Sequence, residues 1–222
     1  MIVDEIFYSI QGEARDAGRP CVFLRLSLCD LRCHYCDTKY SWKRGRELSS
    51  DEVLAALAGH RCRLICITGG EPMLQRDALL PLIDALLGAG YELILETHGM
   101  APLDGVPDAV CKVVDVKIPN SFGVVKGVDK EALYPTLEHN LTLLGDRDQL
   151  KFVIGSRDDF DWALRFVERH RLGPLGDRLL FSPSYGVVEP HDLAEWLKTS
   201  GLPGRLNLQL HKLIWDPESR GV

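Results

Sequence analysis

Cys21-Val-Phe-Leu-Arg-Leu-Ser-Leu-Cys29-Asp-Leu-Arg-Cys33-His-Tyr-Cys36 is the stretch that decides how this 222-residue chain is read. Its first half alternates with a period of two. Val22, Leu24, Leu26 and Leu28 share one face, while Phe23, Arg25, Ser27 and Cys29 share the other, as in a strand over Val22–Leu28. The apolar face suits a layer of helices, and a face carrying Arg25 suits an interior that holds a polar ligand, because buried polar groups need partners. The strand runs straight into three cysteines spaced CxxxCxxC. Three thiolates this close can wrap one compact cluster, and the spacing differs from ferredoxin patterns that give each cluster four cysteines. One iron of a [4Fe–4S] cube then keeps an open position, by the same logic as a catalytic zinc ion. The alternatives are a Cys₃His zinc site using His34, or three unrelated reduced cysteines. A tight zinc motif ordinarily brings a second CxxC-type pair, and none is present.

Outward from this stretch, short β-rich runs alternate with helical ones. Strands are expected at Ile2–Phe7, Leu64–Thr68, Glu92–Thr97, Val110–Lys117, Leu150–Ile154, Leu179–Ser182 and Leu206–Leu210. Ser49-Ser-Asp-Glu52 is a capping box that opens a helix over Val53–Ala58. Gly88 and Gly90 close the apolar stripe of Leu79, Leu80, Ile83, Leu86 and Leu87. Further helices are expected over Asp159–Arg171 and over His191–Ser200 after Pro190. Strands and helices alternating in this way predict βα units on a parallel sheet, a barrel-like α/β fold in one domain over residues 1–222. Asp115 and Lys117 face the same way as Cys111, and Asn207, Gln209 and His211 oppose the leucines at 206, 208 and 210. These polar faces are expected to converge at the strand ends, where α/β barrels keep their chemistry.

Composition excludes several classes. With 45% hydrophobic and 26% charged residues the chain is neither disordered nor collagen-like. At this length it can bury roughly 70% of its unfolded surface without covalent staples. The longest apolar stretches, such as Leu79–Leu87, fall well short of the roughly 20 residues that span a bilayer. Met1-Ile-Val-Asp-Glu5 has neither a basic nor a long apolar segment, which predicts a cytoplasmic rather than a secreted protein. A net charge of −6 argues against a general nucleic-acid binder, and Lys39, Lys43, Arg44 and Arg46 read as a solvated loop. Seven cysteines, an odd number with three crowded together, do not form a disulfide framework. They imply a reducing compartment, with Cys62 and Cys66 as core residues.

The second chemical signal is Thr68-Gly-Gly-Glu-Pro72, directly after a strand. Two glycines there let the backbone approach a ligand and expose its amides and carbonyls. Alone, the pair reads as easily as a tight turn. Together with the cysteine motif, in this order and separation, it resembles the radical S-adenosylmethionine (SAM) superfamily. That resemblance implies an incomplete parallel β/α barrel in which the methionine amine and carboxylate of SAM chelate the open iron. Reduction of the cluster would then cleave the sulfonium to a 5′-deoxyadenosyl radical, so the catalytic agent comes from the cofactor and not from a side chain.

A finer resemblance covers nearly the whole chain. Phe7-Tyr-Ser-Ile-Gln-Gly-Glu13, Gly18-Arg-Pro20, Arg25, Cys36-Asp-Thr38, Thr68-Gly-Gly-Glu-Pro-Met73, Glu96-Thr-His-Gly99 and Gln209-Leu-His-Lys212 are similar to the 7-carboxy-7-deazaguanine synthase family. The resemblance implies a carbon–nitrogen lyase of queuosine and 7-deazapurine biosynthesis. It would convert 6-carboxy-5,6,7,8-tetrahydropterin to 7-carboxy-7-deazaguanine with loss of ammonia, using SAM catalytically. By resemblance, substrate contacts fall on Ile10, Gln11, Gly12, Glu13, Arg25, Thr68, His211 and Pro217. Cofactor contacts fall on Tyr35, Cys36, Asp37, Gly69, Gly70, Glu71, Asp115, Val116, Lys117, Ser182, Pro183, Ser184 and Tyr185. The cluster falls on Cys29, Cys33 and Cys36, and Mg²⁺ on Thr38. Asp115-Val-Lys117 and Ser182-Pro-Ser-Tyr185 depart in letters from other members, and Pro217, which ends the chain in some members, is followed here by Glu218–Val222.

The residues suit that ligand chemically. A pterin edge presents donors and acceptors that the Gln11 amide and Glu13 carboxylate can read. A carboxylate suits the guanidinium fork of Arg25, and Thr38 offers Mg²⁺ a hard oxygen. An electron donor such as a flavodoxin is expected, the family implies a homodimer, and no membrane or nucleic-acid partner is expected. The rival readings are a glycyl-radical activase, which would not use Gln11, Glu13 and Arg25 together, and a zinc-stabilised binding module.

Overall fold

Val22, Leu24 and Leu26 pack into the main core with Val53, Leu57, Leu79, Leu82 and Ile83 from two helices, while Phe23 joins a separate interior cluster and Arg25 lines a cavity. The alternation in the sequence therefore sorts the two faces as expected. The computed structural model in which this is seen describes residues 1–123, 129 and 131–222. Its strands are β1 (Ile2–Ile10), β2 (Pro20–Leu26), β3 (Arg46–Glu47), β4 (Leu64–Gly69), β5 (Glu92–Thr97), β6 (Cys111–Asp115), β7 (Gln149–Ile154), β8 (Leu179–Pro183) and β9 (Arg205–Leu206). Among the described residues they form one sheet in the order β3-β1-β2-β4-β5-β6-β7-β8-β9. From β2 to β9 every neighbouring pair is parallel; β1 is antiparallel to both β2 and β3. The end strands β3 and β9 do not pair with each other, so the barrel is incomplete.

Helices α1 (Ser50–Ala58), α2 (Arg76–Gly88), α3 (Tyr134–Leu141), α4 (Arg157–Arg169) and α5 (Pro190–Ser200) supply the crossovers, followed by the short α6 (His211–Ile214). The capping box forms as read: the Glu52 N–H donates to the Ser49 hydroxyl, and the Glu52 carboxylate accepts from the Ser49 N–H. α4 starts two residues earlier than expected because the Ser156 hydroxyl caps it, accepting from the Asp159 N–H. The helix-facing core includes Phe152, Phe160, Phe166 and Phe181, whose rings stack or meet edge to face at centroid separations of 5.3–5.9 Å. No helix among the described residues is long and apolar enough to cross a membrane.

Three expectations are corrected. The strand expected over 206–210 is only Arg205–Leu206: the ladder to β8 ends with the Asn207 N–H on the Phe181 carbonyl, while the Asn207 and Gln209 side chains turn to the Glu13 carboxylate. The Leu210 N–H turns to the Gly12 carbonyl, so His211 opens a helix rather than ending a strand. Leu28 leaves β2: its φ of 77° turns the chain out of the sheet, and the residue is 39% exposed. The strand expected over 110–117 ends at Asp115.

Candidate functional site

Seen from its ends, the sheet interior has two layers. The lower is apolar, with Phe23, Leu64, Ile94, Val113 and Leu180 around Cys21, Cys66 and Cys111. Above it opens a cavity of about 1000 Å³ lined by polar groups from nearly every parallel strand.

Leu28 turns the chain over this cavity, and Cys29, Cys33 and Cys36 all line it as free thiols. Burial pushes the Cys29 thiol up to about 12 and raises Cys33 as well. Among the described residues, the donor atoms close enough together to share a single ion belong to Cys29, Asp30 and His98, not to the three cysteines. One zinc ion holds its thiolates at about 2.3 Å and so draws them tightly together, whereas a cube gives each cysteine its own iron. The wider placement fits the cluster. The Cys29–Asp30–His98 group already has protein partners: His98 Nε2 lies 2.9 Å from Asp30, and its Nδ1 accepts the Met100 N–H at 3.0 Å. His34, the fourth ligand of the zinc reading, is exposed.

The loop after β4 packs directly on this turn. Gly69 has φ 141°, and a Cβ there would sit 1.9 Å from the Leu26 carbonyl oxygen. One on Gly70 would sit 2.0 Å from that of Leu28, so the close approach requires both glycines. The Gly70 and Glu71 N–H groups donate to the Leu26 and Leu28 carbonyls, which fastens the glycine loop to the cysteine loop. Glu71 does not line the cavity. Its fully buried carboxylate accepts from the Met73 and His98 N–H groups and from the Thr97 hydroxyl, which fixes the loop from beneath. Burial disfavours the His98 imidazolium, but Glu71 and Asp30 outweigh it and raise the pKa.

Asp115 and Lys117 leave β6 at the cavity wall. Lys117 Nζ lies 2.8 Å from Asp115 Oδ2 and 3.4 Å from the Tyr35 hydroxyl, above that ring. Asp115 Oδ1 is buried without a hydrogen-bond partner among the described residues, which is what a ligand hydroxyl would satisfy. Val116 between them is buried in the helix-facing core, so its side chain is not at the cavity. Ser182, Pro183, Ser184 and Tyr185 line the same wall. The Ser182 hydroxyl accepts from the Asn207 amide, and Tyr185 lies beneath Lys212 at the rim. These features, together with the glycine cradle, suit a cluster-bound SAM.

The opposite wall carries the other residues singled out in the sequence. The Gln11 amide is oriented at both ends: Nε2 donates to Glu96 at 3.2 Å and Oε1 accepts the Glu13 N–H. The Glu13 carboxylate accepts from Gln209 at 2.8 Å, Lys151 at 3.0 Å and Asn207 at 3.2 Å. Burial pushes its pKa up, but the Lys151 charge and the Gln209 hydrogen bond outweigh that and hold it below the usual range. Thr68 donates to Glu96 at 2.8 Å. Arg25 gives Nε to Glu5 at 2.7 Å, and Glu5 also accepts from the Tyr40 hydroxyl. His211 packs against Gly12 so closely that a Cβ there would lie 2.4 Å from Nδ1; burial lowers the His211 pKa. Thr38 begins a short 3-10 turn without capping it by its side chain; its hydroxyl instead lies 3.7 Å from Cys36 Sγ. Ile10, Asp37, Pro217 and residues 218–222 also line the cavity, and Arg220 stacks over the Tyr40 ring.

Sequence reading missed Tyr40, Glu96, Lys151, Asp159 and Arg220 as individual cavity residues, and Glu5 as the partner that holds Arg25. Most meet their partners only through the fold. Asp159 had a local signal, being three residues after the helix-capping Ser156; its Oδ1 is buried and unpartnered among the described residues.

Residues 25–197 match the Radical SAM superfamily. Over 244 aligned residues the chain is 41% identical to the 7-carboxy-7-deazaguanine synthase of Koribacter versatilis, covering 100% of each. It is 39% identical to the enzyme of that name from Chlorobaculum tepidum, covering 99% of this chain and 96% of that one. The crystal structure of QueE from Escherichia coli has a similar fold, with TM-score 0.66 at 24% identity over 95% of this chain and 94% of that one.

Proposed function

Since the chain belongs to the 7-carboxy-7-deazaguanine synthase family of the radical SAM superfamily, we propose that it performs that family's ring contraction at this cavity, as a single domain spanning residues 1–222. The substrate is 6-carboxy-5,6,7,8-tetrahydropterin, and the products are 7-carboxy-7-deazaguanine and ammonia. When bound, the [4Fe–4S] cluster and SAM supply the radical that takes and later returns the substrate's C6 hydrogen. Cys29, Cys33 and Cys36 would hold the cluster, and Gly69 and Gly70 would let the methionine end of SAM approach it. Asp115 would accept a ribose hydroxyl at its unpartnered Oδ1, with Lys117, Tyr35 and residues 182–185 around the rest of the nucleoside.

The single observation that carries this reading is that one cavity joins the three-cysteine loop to Gln11, Glu13 and Arg25. Ionised Glu13 would accept an N–H group of the pterin edge at the acceptor position that its three protein donors leave open, while the fixed Gln11 amide reads the neighbouring position. Arg25, held through Nε by Glu5, would turn the rest of its fork to the substrate carboxylate. His211 and Pro217 would close the far side. Thr38 would bind Mg²⁺ beside the cluster, sharing the ion with substrate oxygens. A flavodoxin-like electron donor, assembly as a homodimer and a cytoplasmic location complete the proposal. Anaerobic incubation with SAM, a reductant and the carboxy-tetrahydropterin should yield the deazaguanine and ammonia without net loss of SAM. SAM cleavage with untouched pterin would overturn it.

A further inference from the structure

We propose that Lys151 is a positioning residue for the pterin site: its ammonium fixes the Glu13 carboxylate in place and joins it to Asp115 on the cofactor side. The proposal rests on the assignment of Glu13 to the pterin. Lys151 sits on β7 in register with Asp115 on β6. Its Nζ lies 3.0 Å from Glu13 Oε2 and 3.6 Å from Asp115 Oδ2, with the side chain only 13% exposed. Asp115 in turn holds Lys117 at 2.8 Å. Charges of alternating sign therefore run Glu13, Lys151, Asp115, Lys117, linking the wall that would take the pterin to the wall that would take the ribose.

The charges facing Glu13 show why the ammonium matters. Asp37 approaches from the cysteine loop, Glu96 from β5 and Asp115 from β6; His211, Gln209 and Asn207 approach from the C-terminal segment. Of these, Gln209 and Asn207 donate neutral hydrogen bonds, and burial lowers the His211 pKa and so disfavours its charged form. Lys151 is the cation in contact with Glu13 among the described residues. Without it, Glu13 would share a poorly solvated interior with Asp37, Glu96 and Asp115, a situation that drives one carboxylate to take up a proton. Asp37 and Asp115 keep Lys212 and Lys117 as partners, whereas Glu13 would have no cation in contact among the described residues. Protonated Glu13 would lose acceptor capacity where the pterin edge needs an acceptor.

The test measures binding of 6-carboxy-5,6,7,8-tetrahydropterin by anaerobic calorimetry. It uses the full-length, cluster-loaded protein with SAM and no reductant, so no turnover intervenes. Lys151→Met should weaken binding about tenfold or more near about pH 6 and recover toward the parent by about pH 9, as Glu13 ionises. Lys151→Arg should keep the parent's pH profile. In a Glu13→Gln background, adding Lys151→Met should change affinity little, and this double variant removes both charges should the single one fail to fold. A Lys151→Met deficit that is absent or independent of pH would overturn the proposal. So would an equal deficit with and without Glu13. A parent that does not bind the pterin would instead overturn the functional reading itself.

Discussion

Cys21, Cys66 and Cys111 sit on the floor of the sheet interior, while Cys29, Cys33 and Cys36 sit at its mouth. Burial raises the thiol pKa of the three floor cysteines and of Cys29 and Cys33 at the mouth, so acidity does not separate the layers. Backbone placement does. The floor cysteines lie on strands, each 45 residues in sequence from its nearest floor partner, and pack among Phe23, Ile94 and Leu180 as small apolar groups. The mouth cysteines lie on a loop that Leu28 swings over a cavity, close enough in sequence to serve one ligand. The same division runs through the whole interior: the lower halves of the strands seal it and the upper halves bind. Identical residue types are therefore structural in one layer and chemical in the other.

The hardest test of this division is cluster assembly. Cys29→Ala should lose the [4Fe–4S] absorbance or leave an incomplete cluster, because three thiolates hold it. Alanine at Cys21, Cys62, Cys66 or Cys111 should leave iron and sulfide content unchanged. A floor cysteine needed for the complete cube would end the distinction between the layers.

Arg25→Ala sharpens the division within the mouth. The loss of a bidentate contact to the substrate carboxylate should cost about 2–5 kcal/mol in kcat/KM. SAM cleavage in the absence of pterin should persist, since among the described residues the Arg25 guanidinium is held by Glu5 and lies over the Phe7 ring, neither of them in the cysteine or glycine loops. Equal loss of both activities would make Arg25 a structural member of the wall.

How far the two layers could be read in advance depends on how local the signal is. The period of two in β2 and β6 told which residues face inward, and the cysteine spacing and Gly69-Gly70 marked the loops above them. What was illegible is long-range pairing. Lys151 meets Glu13 across 138 positions, and Gln209 meets it across 196. A lone lysine on a strand carries no sign of such a partner. The 206–210 segment misled for a related reason. Its alternation is genuine, and Asn207, Gln209 and His211 do reach the site, but after the Asn207 N–H bonds to Phe181 the backbone leaves the sheet and the Leu210 N–H goes to the Gly12 carbonyl. Glu71 was misplaced because the motif names the residue without saying that its carboxylate turns beneath the loop.

A smaller effect is expected at Thr38, between the cluster and the pterin wall. A neutral hydroxyl is a weak Mg²⁺ ligand, so the ion should bind well only with substrate oxygens, and each should tighten the other by the same factor. Thr38→Ala should weaken the stimulation of turnover by Mg²⁺, and Thr38→Ser should keep most of it. Because the Thr38 side chain caps no helix, thermal stability should barely move. An unchanged Mg²⁺ titration would remove Thr38 from the metal site.

The smallest effect belongs to the floor. The Cys111 thiol donates to the Arg147 carbonyl at 3.1 Å and lies 3.7 Å from the Gln149 amide, closing the bottom of β6 against β7. Cys111→Ala removes one buried sulfur and leaves a small void, with the two polar groups short of a weak partner. Such a change should cost about 1–2 kcal/mol of stability. Catalysis should be untouched, because Val113 stands between Cys111 and Asp115, the first polar cavity group on the same strand face. Urea unfolding alongside kcat/KM checks both halves of the expectation. If Cys111→Ala lowered kcat/KM while leaving stability unchanged, the floor would be part of the binding machinery, and the interior would work as one layer rather than two.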